Sequence, residues 1–135
     1  MNELTILAAV ENIDRVTDFV NEQLEEACCP LKVQMQLDVA VDEVFSNIAN
    51  YAYRPGSGPA TIKVERVEDP SSIVITFIDR GKPYNPLLKE DPDISLPAEE
   101  RETGGLGIFL VKKLMDDMAY DYREGQNILQ IRKKL

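Results

Sequence analysis

Apolar and polar residues follow one another along this chain with two periods, and the switches between those periods mark out its elements. Residues 3–10 (ELTILAAV) form a short apolar run with β-branched members and read as a strand. From Asn12 or Asp14, either of which can cap a helix, apolar side chains recur three or four apart at Ile13, Val16, Phe19, Val20 and Leu24. That spacing predicts an amphipathic helix ending before Pro30. A second helix is predicted from about residue 32 to 53, its buried side marked by Met35, Val39, Val41 or Asp42, Phe45, Ile48, Ala49 and Ala52. The breaker cluster RPGSGP at 54–59 then makes a loop.

Period two takes over across 61–67, with Ile62, Val64 and Val67, and again across 73–78, the two runs joined by EDPS in a hairpin-type turn. Residues 80–105 are rich in Pro, Asp and Glu with little apolar periodicity, a length usual for a lid or binding loop. A helix over 105–118 carries Leu106, Phe109, Leu110, Leu114 and Met118 on one face, and 119–123 with 128–133 form a hairpin closed by EGQN at 124–127. The order β-α-α-β-β-lid-α-β-β predicts one domain over 1–135. Its expected class is an α/β (α+β) two-layer sandwich, a mixed or antiparallel sheet covered on one face by three helices.

Composition narrows the chemistry. The 135 residues are enough for one core. Lys and Arg number 15 against 24 Asp and Glu, a formal charge of -9, so the basic footprint of a nucleic-acid binder is missing. With no His in the chain, Ser-His-Asp and Cys-His pairs, HExxH zinc sites and a phospho-accepting histidine are all excluded. Cys28 and Cys29 are adjacent and read as two reduced thiols at a helix end. The first residues lack a signal peptide's basic start, and no stretch approaches the ~20 apolar residues of a membrane span. A soluble, cytoplasmic protein with no membrane partner is expected.

Three segments can carry chemistry. Glu43 and Asn47 stand four apart on the second helix and so project from one face, with Asn50 nearby. Because they sit in the largely apolar AVDEVFSNIANYAY, they need partners. Either this is the polar face of an amphipathic helix, or the amide oxygen ligates a hard cation completed by phosphate oxygens while the carboxylate takes a proton from a nucleophile. Asp79 closes an apolar strand and Gly81 follows it. An acid there, with room for close approach, suits a flat heterocycle bearing an exocyclic amine, although an Asx-type turn also explains it. Gly104, Gly105 and Gly107 open a helix whose free N–H groups can face an anion, or they hinge a lid.

Taken together, AVDEVFSNIANYAY, DRGKPYNP, RETGGLGIFLVKKLMDDMAY and the closing YREGQNILQIRKKL resemble the GHKL (Bergerat-fold) ATP-binding superfamily. Within it they resemble the anti-sigma-factor serine/threonine-protein kinases, over essentially the whole chain. The resemblance implies ATP and Mg²⁺ as cofactors. It makes Glu43 the general base for a serine hydroxyl, and Asn47 the Mg²⁺ ligand with Asn50 on the same wall. Asp79 would bind the adenine amino group, with Gly81 giving room for the ring and Pro83 in the same nucleotide-binding stretch. Gly104, Gly105, Leu106 and Gly107 would wrap the phosphates, with Arg101 and Thr103 nearby on the lid. An anti-anti-sigma protein and a sigma factor are the implied partners, with Arg15 on the first helix a candidate contact. A homodimer is also implied, with the first strand an edge open to pairing. A non-catalytic or weakly hydrolytic ATP-binding module, and an ATPase in which Glu43 activates water, remain alternatives.

Overall fold

In the computed structural model, residues 2–88 and 105–135 are described, the side chains of 105 and 106 excepted. β1 (Asn2–Leu7) leads into α1 (Ile13–Glu26) and α2 (Leu31–Asn47), then β2 (Pro59–Val67), β3 (Ser72–Asp79), α3 (Gly105–Leu114), β4 (Asp117–Arg123) and β5 (Gln126–Lys134). The five strands lie in the order β1-β2-β3-β5-β4, every neighbouring pair antiparallel. This is the expected two-layer α/β sandwich in its antiparallel form.

Register decides which side chains meet the helices. Ile62, Phe77 and Leu129 align across β2, β3 and β5, and Val64, Ile75 and Ile131 form the next row; all six are buried. Val16, Val20 and Leu24 of α1 join the same core with Leu37, Val41 and Phe45 of α2. Each such side chain contributes about 1.5–3 kcal/mol on leaving water. The other sheet face carries Thr61, Ile78 and Ile128 in one row and Lys63, Thr76 and Gln130 in the next, the mixed pattern of an uncovered face.

Several expectations shift. The core side of α2 is Leu37, Ala40, Val41, Val44 and Phe45, while Met35 and Val39 are exposed. Val41 and Phe45 are buried as expected, but packing against α1, α3 and the sheet turns the buried face toward Leu37, Ala40 and Val44 and away from Met35 and Val39. The α-helix also gives way at Asn47 to a π turn over Ile48–Ala52, so the helical path continues to Ala52 with altered pitch. α3 stops at Leu114, because the Asp116 N–H bonds to the Arg132 carbonyl and draws the chain into β4. Its buried residues are Ile108 and Val111, followed by Met115 just past its end; Leu110 is exposed, and Leu114 and Met118 pack partly against the core. Asn12 precedes α1 as expected, but its amide donates to the Leu7 carbonyl instead of capping the helix. Cys28 and Cys29 are free thiols past the end of α1.

The last turn is tighter than EGQN suggested. Glu124 and Gly125 both have positive φ (54° and 77°), the signature of a two-residue hairpin turn. β5 therefore starts at Gln126, and Asn127 joins the sheet directly opposite Asp79.

Candidate nucleotide site

At the end of the sheet where β3 stops, a cavity of about 380 Å³ opens beneath the helices. Asn47, Ile48 and Tyr51 wall it from the end of α2, Phe77 and Asp79 from β3, and Ile108 from α3. Its size is that of a small-molecule pocket: mostly apolar walls with a few convergent polar groups. The π turn at Ile48–Ala52 lies within this wall, and such turns are frequent at functional sites.

Asp79 is buried at the strand end. Its Oδ1 accepts from the Gly81 N–H at 2.9 Å and from Asn127 Nδ2 at 2.9 Å. These two donors fill Oδ1, and Oδ2 has no hydrogen-bond donor among the described residues. Gly81 is needed because a Cβ there would overlap the Ala52 backbone, which in turn accepts from the Lys82 N–H at 2.9 Å. The segment after β3 is thereby pinned to the π turn. Tyr53 pins it again, its hydroxyl donating to the Pro59 carbonyl at 2.5 Å and accepting from the Arg80 N–H at 2.7 Å. Burial raises the Tyr53 phenol above its ordinary pKa, and the Arg80 N–H bond opposes that rise.

Glu43 lies one turn before Asn47 on α2, and its carboxylate packs against Gly107 in the first turn of α3. Any side chain at 107 would collide with it. The glycine there lets α3 close onto α2 beside an acid.

The residues singled out from the sequence sort as follows. Asn47, Asp79 and Pro83 line one cavity, Gly81 stands behind Asp79, and Glu43 meets Gly107 one turn away. Asn50 does not share that wall: it is exposed, and Tyr51 lines the cavity instead. In a turn built on i→i+5 bonds the residue four along, not three, returns to the same side. Arg15 is exposed on α1, and Gly105 begins α3. Arg101, Thr103 and Gly104 lie outside the described residues, as does the side chain of Leu106. Sequence reasoning missed Tyr51, Tyr84, Tyr120 and Asn127, all on the cavity wall. Asn127 was hidden by its place in an apparent turn, and the tyrosines lie inside the quoted segments but have no spacing that marks them as cavity residues.

The family model described as a histidine kinase-like ATPase domain matches residues 6–133. The chain belongs to this family. Among its relatives, the serine/threonine-protein kinase BtrW of Bordetella bronchiseptica is 26% identical over 100 residues, 74% of this chain and 70% of that protein. The serine-protein kinase RsbW of Bacillus mycoides is 33% identical over 97 residues, and RsbW of Bacillus cereus 32% over 95. Each of these two matches spans 69% of this chain but only 59% of the relative. As a member of an ATPase-domain family the chain is an ATP-binding unit, and the cavity sets mostly apolar walls beside the Asp79 carboxylate. No described helix is long and apolar enough to cross a membrane.

Proposed function

We propose that the chain is an ATP-dependent serine/threonine-protein kinase and cytoplasmic anti-sigma regulatory factor, which phosphorylates a serine of an anti-anti-sigma protein in a partner-switching circuit. The observation that carries this reading is the placement of Asn47 and Asp79 on one cavity, with Glu43 one helical turn away against Gly107. Similarity to relatives named serine-protein kinases supports it.

In this reading Asp79 accepts from the adenine amino group and the apolar walls hold the ring. The described residues include no cluster of three metal-ligating acids, cysteines or histidines. A single amide oxygen nevertheless fits Mg²⁺, which keeps several waters and is otherwise bound through phosphate oxygens. Asn47 would be that protein ligand, and the ion would neutralise phosphate charge that an acidic chain cannot. Glu43 takes the serine proton as the serine Oγ bonds to the γ-phosphorus; the bond from that phosphorus to the bridging oxygen breaks, and ADP leaves. Phosphorylation would release the antagonist and free this chain to hold a sigma factor. β1, at the sheet edge, offers its backbone for pairing in a homodimer.

The test is incubation with γ-labelled ATP, Mg²⁺ and candidate antagonist proteins. Label on a serine of the antagonist is expected. Free phosphate alone would indicate an ATPase, and neither product would indicate a nucleotide-gated binding module.

A further inference from the structure

Asn127 is buried on β5, opposite Asp79 in the register, and every hydrogen-bonding capacity of its amide is taken by protein. Nδ2 donates to Asp79 Oδ1 at 2.9 Å and to the Lys82 carbonyl at 2.9 Å. Oδ1 accepts from the Tyr84 N–H at 3.0 Å and from the Tyr120 hydroxyl. A carboxamide offers two donors and two acceptor lone pairs, so none remains for a ligand. The residue lines the cavity yet has nothing left to bind with.

What Asn127 does have is a grip on three separate pieces of the site. It holds one oxygen of the acid at the end of β3, both polar ends of the Lys82–Tyr84 stretch, and the tyrosine of β4. Because Oδ1 of Asp79 is saturated by Asn127 and Gly81, rotation of the carboxylate would break two bonds at once. The oxygen left to face the cavity is therefore Oδ2.

We propose that Asn127 is a positioning residue for base selection. By clamping Asp79 Oδ1 it presents Oδ2 in one orientation to a purine amino group, and it ties the strap that follows β3 to that recognition. This rests on the adenine-nucleotide reading above and goes beyond it by assigning the discrimination to a residue that does not touch the base. Asp is excluded at 127 because it has no donor and would set a second carboxylate against Asp79. A hydrophobic side chain would leave the Lys82 carbonyl and the Tyr84 N–H without their Asn127 partner and strip Asp79 Oδ1 of one of its two donors.

The experiment is titration of the full chain with ATP and with inosine triphosphate, which carries an oxo group where ATP carries the amine. Wild type, Asn127→Ala, Asn127→Ser and Tyr120→Phe are compared, with circular dichroism confirming that each is folded. Wild type is expected to prefer ATP. In Asn127→Ala and Asn127→Ser that preference should fall about 10- to 100-fold, the worth of a hydrogen bond to a charged group, mainly through weaker ATP binding. Tyr120→Phe removes a bond that does not involve Asp79 and should reduce the preference by a smaller factor. Folded Asn127 variants that bind both nucleotides more weakly by the same factor, or that keep the wild-type preference, would overturn the proposal. Failure of wild type to bind ATP would instead overturn the nucleotide reading itself, a separate outcome visible before any variant is tested.

Discussion

The carboxylate of Glu43 rests against the α-carbon of Gly107, so the acid on α2 and the first turn of α3 occupy each other's space. Neither helix alone would place a carboxylate beside a helix N-terminus. The contact fixes where an acid stands relative to the N-terminal end of α3, and the function proposed here depends on that geometry.

If Glu43 is the general base, Glu43→Gln should keep the packing against Gly107 and lose only the proton acceptor. Turnover on an antagonist protein is expected to fall by ~10²–10⁴ while ATP affinity stays within about twofold. Calorimetric binding together with a phosphoserine assay separates the two quantities. Equal losses in both would place Glu43 in binding instead.

Gly107 and Gly81 should respond differently to the same added methyl. At Gly107 the obstacle is the end of a flexible side chain, so Gly107→Ala should displace Glu43 with little effect on stability and a large loss of turnover. At Gly81 the obstacle is the Ala52 backbone, which cannot swing away. Gly81→Ala is expected to destabilise by ~1–3 kcal/mol, the usual cost of overpacking, measurable as a lower urea midpoint at unchanged slope. The reverse ranking in urea would contradict this account.

Asp79→Asn keeps the shape of the strand end but puts an amide where an all-acceptor group stood. With one face of the group committed to the Gly81 and Asn127 donors, the amide nitrogen would point at the cavity and meet a purine amine donor to donor. ATP binding should weaken by about 10- to 100-fold. Unchanged affinity would remove Asp79 from the base-binding role.

Asp38 supplies a pH prediction away from the site. Its Oδ1 is shut off from solvent with no hydrogen-bond partner among the described residues, and burial raises its carboxyl above the ordinary value, opposed by a bond from Asn21. A carboxyl whose pKa is higher folded than unfolded favours the fold while protonated. That advantage is lost as pH rises from the ordinary value, about 3.9, through the raised one. Asp38→Asn cannot titrate. Its stability gain over wild type should therefore be small near pH 4, grow as the pH rises through that window and then level off. Urea midpoints at several pH values read this directly, and a gain that shrinks with rising pH would refute it.

Much of this protein was legible in the chain alone, because apolar periodicity reports local burial directly. The strands through Ile62 and Ile75 and the helix through Val16, Val20 and Leu24 all follow from spacing. So do Glu43 and Asn47 on one helix face and Asp79 at a strand end, since each depends only on its own element. Spacing placed Val41 and Phe45 of α2 inward but could not settle the edges of that face. Met35 and Val39 are as apolar as Leu37 and Val44, and only packing against α1, α3 and the sheet decides between them. Nor could spacing reveal that Asn127 faces Asp79. That pairing joins residues 48 apart along the chain. It exists because a two-residue turn sets the register of β5 and because β5 inserts between β3 and β4. Local sequence thus determined the elements and the reactive groups they carry. The order and register of the strands, long-range pairings with no local signature, decided which of those groups meet.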